Sequence, residues 1–416
     1  MNNHKVFKID NEEDIIVFIP TLSKVFLVSK EKASEIPNYV QAENPNVFLG
    51  SAGLPDYFFL GTNLILTNHC NLTCVYCYGD YGPTKKLTMT EKIAHAAIDY
   101  IAGCAQQKEG NNLIYANMFG GEPTQAWDIM VNAANYLREK ANTTNCRSRV
   151  TISTNGCMDF QKAEWLAHNM DRIAISIDGD KEVQDAQRSN SFNTVFKVAK
   201  KIYELAPDKL RFRSTVSEFS VDRLPAIVEF LSKNFPGCHQ AHEALFGIGR
   251  GQKSKFGAPS YSKFFEKYLE SLPVAEKYGS KLRTSILNLG GINTEFCGIA
   301  GRNFMITPDG KCTTCNRMSE NTSSDNPFIY GHFDSEISKW SFDDKSYQKM
   351  KDFSSKSILE CQNCYAFSSC RGDCSANKSI IDPSNFWKTK SYRCEEIKKF
   401  VKDILLYVLE KESALA

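Results

Sequence analysis

The sequence predicts an α/β fold: a partial (β/α)6 barrel of the TIM type, set between a small N-terminal β-hairpin module and a cysteine-rich, loop-rich C-terminal domain. Three observations carry this reading. Across residues 58–289, β-rich runs alternate with amphipathic stretches, the pattern of a parallel sheet with crossover helices. Ahead of it, in residues 1–57, stand two short apolar runs, Ile15 to Ile19 and Val25 to Val28, separated by a turn-like segment that begins at Pro20. Behind it, in residues 290–416, periodicity gives way to short Gly- and Cys-rich segments and then an amphipathic helix from Glu395 to about Lys411.

Each element has a local reason. The two apolar runs form a hairpin, a short helix from Lys30 to Glu35 is capped by Ser29 and stopped by Pro37, and Gly50 to Asp56 reads as a linker. The barrel strands are expected at 63–67, 113–119, 149–154, 172–177, 209–216 and 243–248. Helices fall between them, among them 90–106, with Ile93, Ala97, Ile98 and Ile101 near helical spacing, and 224–233, where Pro225 is tolerated in the first turn. Six units leave the barrel open on one side, and chemistry is expected at the carboxyl ends of the strands.

Composition excludes several classes of function. With 50 basic and 48 acidic side chains among 416 residues, the net charge is +2, so no nucleic-acid partner is expected. Hydrophobic residues, at 42%, suffice for well-buried cores. No apolar run approaches the ~20 residues that span a bilayer, and MNNHKVFKIDNEED lacks the layout of a secretion signal, so a cytoplasmic protein without a membrane partner is expected. In a reducing compartment the 15 cysteines point to metal binding or catalysis rather than disulfides. Eleven of them fall into two clusters.

Cys70, Cys74 and Cys77 form C-x3-C-x2-C directly after the first barrel strand, where a strand-end loop can wrap one small object. Three thiolates on a four-iron, four-sulfur (4Fe–4S) cube leave one iron open, and a zinc site completed by His69 or a distant ligand uses the same residues. The triad, with Tyr76 before its last cysteine, resembles the signature of the radical S-adenosylmethionine (SAM) enzymes. That resemblance implies a cluster whose open iron binds SAM and, once reduced, cleaves it to a 5′-deoxyadenosyl radical. Further motifs match in order. Gly120, Gly121, Glu122 and Pro123 resemble the family's GGEP segment, in which Glu122 is expected to accept from the SAM ammonium. Ser153 and Asn155 (STNG) and Ser176 and Asp178 (SIDG) end the next two strands beside the expected ribose or carboxylate, and Arg188 is placed to clamp the SAM carboxylate.

The tail carries C-x12-G-x4-C from Cys297 to Cys315, C-x2-C-x5-C-x3-C from Cys361 through Cys364 and Cys370 to Cys374, and finally Cys394. A pair of zinc knuckles satisfies four-cysteine sets as well. The intervals resemble the SPASM extension of radical SAM enzymes, which implies two auxiliary 4Fe–4S clusters and so three clusters in all. By that resemblance Cys361, Cys364, Cys370 and Cys394 hold one, and Cys297, Cys315 and Cys374 the other, with Cys312 as candidate fourth ligand. Irregular backbone of this kind draws much of its stability from bound metal.

SPASM proteins mostly modify peptides, so the expected activity is maturation of a ribosomally made precursor peptide, with oxidative formation of a thioether, C–C or C–O crosslink. The N-terminal hairpin is a candidate leader-recognition edge, and a flavodoxin or ferredoxin is the expected reductase. Epimerisation needs a hydrogen donor, for which Cys238 is the candidate; His239, His242 and Glu243 beside it read as structural rather than as a metal site. A formylglycine-forming sulfatase maturase shares the architecture, but its family places an aspartate base where this chain has Asn316. A non-catalytic iron–sulfur protein that binds peptides would cleave no SAM.

Overall fold

The computed structural model describes residues 2–42, 55–110, 112–289, 296–319, 326–351, 353 and 358–415. Most of the expected linker lies outside them. The chain forms two compact units: residues 55–283 with 298–351, and residues 1–54 with 284–297 and 352–416. The three sequence segments 1–57, 58–289 and 290–416 therefore do not coincide with the units.

The larger unit is built on one sheet. Six parallel strands, β1 (Gly61–Ile65), β2 (Leu113–Phe119), β3 (Arg147–Thr154), β4 (Arg172–Ser176), β5 (Leu210–Val216) and β6 (His239–Ala244), lie in sequence order. A short β7 (Lys281–Arg283) adds in parallel to β6 at one edge. At the other edge β8 (Met305–Ile306) runs parallel to β1, followed by the antiparallel β9 (Lys311–Thr313), β10 (Ile329–Asp334) and β11 (Lys339–Phe342). The sheet ends at β7 and β11 without closing. Even-numbered residues of β2 and odd-numbered residues of β4 are buried under helices, as Ile114, Ala116 and Met118 and then Ile173 and Ile175 show. The alternate residues face the lumen.

Helices cover the outer face. Among them are α1 (Glu91–Gln106), α2 (Trp127–Thr143), α3 (Phe160–Asn169), α4 (Lys181–Gln187), α5 (Phe192–Leu205) and α6 (Leu224–Asn234). Thr90, Asp159 and Asp180 each accept a hydrogen bond from the third residue beyond them, which fixes where α1, α3 and α4 begin. Ile93, Ala97, Ile98 and Ile101 of α1 are buried, as the spacing predicts.

The last expected barrel strand is displaced: it runs over His239–Ala244, not 243–248. Its helix-facing residues are polar, which hides the alternation. Gln240 donates to the Ser232 hydroxyl of α6 at 2.8 Å and meets the His242 ring nitrogen Nε2 at 3.1 Å, so two fully buried polar side chains bond one another, and only His242 Nδ1 of the ring is left without a partner among the described residues. Burial holds the His242 imidazole down at about 4. Because the unfolded chain takes up this proton near pH 6.5 and the native chain does not, His242 withdraws stability as pH falls from 6.5 to 4. The expected loss is about 3 kcal/mol across that window; denaturant unfolding of the protein and of a His242→Leu variant checks it, the variant giving the flatter pH profile.

In the smaller unit the expected hairpin is a three-stranded antiparallel sheet, Phe7–Asn11, Asp14–Ile19 and Lys24–Ser29. The extra strand, FKIDN, carries only two large apolar residues and so leaves no apolar run. A separate two-stranded ladder pairs Asn2–Lys5 with Tyr39–Ala42. The helix after Ser29 is shorter than expected, Lys30–Ala33, with the Ser29 hydroxyl accepting from Lys32. The chain ends in the helix Cys394–Leu415. No helix among the described residues is long and apolar enough to cross a membrane.

Candidate active site

The carboxyl ends of β1 to β6 surround an open cleft of about 280 Å³. Cys70, Cys74 and Cys77 all line it. Their loop is anchored by the segment after β2: Gly121 N–H donates to the Thr67 carbonyl at 2.7 Å and Glu122 N–H to the His69 carbonyl at 2.9 Å. This approach requires the two glycines. A Cβ on Gly120, whose φ is +148°, would stand 2.5 Å from the Thr67 oxygen, and one on Gly121 would stand 2.4 Å from the His69 oxygen. Gly121→Ala is therefore expected to push the cysteine loop outward, lowering the iron that the anaerobically reconstituted protein retains by about four per chain; iron analysis beside a thermal melt checks this.

Glu122 and Pro123 are not among the residues that line the cleft. Glu122 is fully buried; one carboxylate oxygen accepts from Thr124 N–H, Thr124 Oγ1 and Thr154 Oγ1 at 3.1, 2.7 and 2.7 Å, and the other from Asn155 N–H at 2.7 Å. Burial pushes its pKa up, and these donors oppose the rise. These bonds tie the end of β2 to the end of β3. Asn155, so held, donates to Asn71 Oδ1 at 2.8 Å and approaches Cys70 Sγ at 3.6 Å. Ser153, Asn155 and Ser176 line the cleft as the motifs predict.

Asp178 and Arg188 form a buried pair. Arg188 Nε lies 3.0 Å from Asp178 Oδ2, which also accepts from Gln187 Nε2 at 2.8 Å and from the Tyr76 hydroxyl, while Oδ1 accepts from Thr215 N–H at 2.9 Å. Burial works against the Arg188 charge, but Asp178, Tyr76 and Cys74 more than offset it, so the guanidinium pKa stands well above its ordinary value. The guanidinium lies over the Tyr76 ring, 5.2 Å from its centroid, and reaches within 3.9 Å of Cys74 Sγ. A fixed cation thus faces the cleft beside the triad, as a carboxylate clamp requires. Burial pushes the Cys70 thiol up to about 12, so bound metal must drive its ionisation. Three thiols, nearby N–H donors and a clamping arginine fit a 4Fe–4S cluster with SAM.

Several lining residues were not legible in the sequence. Arg250 donates to the Cys74 carbonyl at 2.9 Å and pairs with Asp80 at 2.8 Å, bracing the triad loop from 170 residues away. Arg213, Glu243, Asn316 and Arg317 also line the cleft. Cys238 does not. It precedes β6 at the amino end, is 3% exposed, and sets its sulfur near Ser280 Oγ and Gln240 Nε2 at 3.6 and 3.4 Å, so the candidate hydrogen donor is at the wrong end of its strand. The displaced strand explains the error.

In the smaller unit Cys361, Cys364, Cys370 and Cys394 line a single small cavity of about 50 Å³. These four are the set that the resemblance assigns to one auxiliary cluster, and their donor chemistry fits it. Asp373 and Arg393 fasten the two chain segments that supply the last two: Arg393 Nε and NH2 meet the two carboxylate oxygens at 2.8 and 2.5 Å, and Ser391 Oγ adds 2.6 Å. Cys312, fully buried in β9, and Cys315 belong to the larger unit; Cys297 and Cys374 belong to the smaller.

Residues 64–230 match the model of the radical SAM superfamily. A cysteine-type anaerobic sulfatase-maturating enzyme of Clostridium novyi is 23% identical over 360 residues, 80% of this chain and 92% of that protein. One from Clostridium perfringens is 22% identical over 355 residues, with the same shares covered. Among solved structures, an anSMEcpe structure with bound AdoMet and the Cp18Cys peptide superposes with a TM-score of 0.65 at 18% identity, covering 85% of this chain and 99% of that one. Streptococcus suis SuiB bound to precursor peptide SuiA gives 0.58 at 14% identity, covering 94% and 98%. At these identities the superpositions establish the shared fold. With the triad, its glycine anchor and the Asp178–Arg188 pair at the mouth of the sheet, the family match identifies residues 64–230 as a radical SAM domain.

Proposed function

We propose that this protein matures a ribosomally made precursor peptide, abstracting a hydrogen from it and forming an intramolecular crosslink (thioether, C–C or C–O) by net oxidation. The observation that carries the reading is the cleft itself: the triad and Arg188 line it together with the polar side chains Glu243, Asn316 and Arg317. Bound there, the cluster and SAM supply a deoxyadenosyl radical. Arg188 and Asp178 orient the cofactor, and the Glu122 ties keep the loop in register. Cys361, Cys364, Cys370 and Cys394 would hold one auxiliary cluster, and the remaining tail cysteines would supply ligands for a second, for three in all. Clusters so held would take up the electron that crosslinking releases, and a flavodoxin or ferredoxin would deliver the reducing electron. An edge of the N-terminal sheet receives the leader as an added strand.

A sulfatase maturase is the second reading, favoured by the curated relatives of nearly full length. Against it, the cleft residue after Cys315 is Asn316, whose amide cannot act as a base. Anaerobic reconstitution with SAM, dithionite and a peptide encoded beside the gene tests both. About twelve irons per chain, 5′-deoxyadenosine and a peptide lighter by two hydrogens support the crosslinking reading. Formylglycine in a sulfatase peptide supports the second. Absence of deoxyadenosine with full clusters and peptide present overturns both.

A further inference from the structure

The lumen face of the open edge carries an unneutralised cationic strip. In register across three neighbouring strands stand Arg211 of β5, His239 of β6 and Lys281 of β7; the next row toward the carboxyl ends is Arg213, Ala241 and Arg283. Arg172 opens the adjoining β4, two residues before Ala174, which pairs with Arg211. All are on the face opposite the helices, because the alternate residues Phe212, Gln240 and His242 are buried, with Phe212 stacking near Phe235 and Gln240 bonded to α6. Arg172, Arg213, Lys281 and Arg283 are exposed, and Arg211 and His239 half-buried.

Among the described residues none of the five Arg and Lys side chains forms an ion pair; Arg211 donates to the carbonyls of Asp208 and Leu210, and the Asp208 charge acts on it through space. Glu243, one row above Ala241 beside Thr215, is the acidic residue of this face. The cations feel one another: burial, then Arg211, Lys281, Arg283 and Arg172, hold the His239 imidazole down at about 4. The strip is continuous with the cleft, since Arg213 and Ser176, which pair in register, both line it.

We propose that this strip binds an acidic segment of the substrate peptide, extended, with carboxylates on alternate residues, and so leads the residue to be attacked into the cleft. The spacing selects this class of ligand. Successive rows on one face of a strand are separated by about 6.6 Å, which is also the separation of alternate side chains along an extended peptide. The small Ala174, Ala241 and Ser176 leave room between the cations for a chain to lie. This inference names the substrate class for the maturase reading and rests on it.

The test uses the full-length reconstituted protein and three probes: a fluorescent peptide alternating glutamate and serine, its glutamine counterpart, and inorganic tripolyphosphate as competitor. The alternating peptide is expected to bind, more weakly as salt rises, and to lose about tenfold in affinity in an Arg211→Gln, Arg283→Gln double variant and in Arg172→Gln with Lys281→Gln. Equal binding of the glutamine peptide, or no loss in either variant once melting shows both folded, overturns the proposal. Displacement by tripolyphosphate at concentrations below those of free acidic peptide also overturns it, in favour of a phosphate ligand. Deoxyadenosine formation is read separately. Its absence while the acidic peptide binds sinks the maturase reading alone, and its presence without peptide binding sinks this inference alone.

Discussion

Asp178→Ala is expected to cost about 3–5 kcal/mol of stability, because it strands a guanidinium already withdrawn from water. Arg188 is 8% exposed and Asp178 1% exposed, and the carboxylate is the ion-pair partner of Arg188 and the common acceptor for Tyr76, Gln187 and the Thr215 N–H. Its loss frees three donors and the guanidinium at once. The Tyr76 hydroxyl and the Arg188 clamp would then shift beside Cys74, so SAM cleavage should fall by on the order of 100-fold even where the variant stays folded. Denaturant unfolding gives the first quantity and deoxyadenosine formation the second. Asp178→Asn keeps the shape but not the charge, and should recover part of the stability with little of the activity. Equal activity in the alanine variant would mean that Arg188 needs no anchor.

Asp373→Ala should have an effect of similar size in the other unit. The carboxylate is 2% exposed and holds Arg393 through two bonds, so its removal again leaves a buried cation, at a cost of about 3–5 kcal/mol. Because Asp373 sits between Cys370 and Cys374 and Arg393 precedes Cys394, the same change separates the segments that line the cysteine cavity. About four fewer irons per chain are expected after reconstitution, with deoxyadenosine formation at the triad retained. Burial opposes the Asp373 charge, but Arg393 and the hydrogen bonds outweigh it and hold the carboxyl below its ordinary 3.8. The contribution is therefore complete above about pH 4 and lost as pH falls below it. Iron counting at pH 7 in the wild type and the variant separates this from a general loss of fold.

The triad, the glycine pair, the STNG and SIDG strand ends and the tail cysteines were legible in the sequence, because cluster and cofactor chemistry demands particular atoms at short, fixed intervals. So were five of the six main strands and the Ser29 cap of the short helix that follows it, where apolar alternation or a single hydroxyl decides the local structure. Three things required the tertiary structure. Gln240 and His242 are buried by bonding one another, so a polar strand reads as a loop, and with it went the position of Cys238. Glu122 is saturated by Thr124, Thr154 and Asn155, a set assembled across two strands that no spacing in the chain announces. The Arg211, His239 and Lys281 row exists only through the register of three strands. Residues near in sequence specify chemistry by their identity; residues far apart acquire a partner, or a field, only when the fold brings them together.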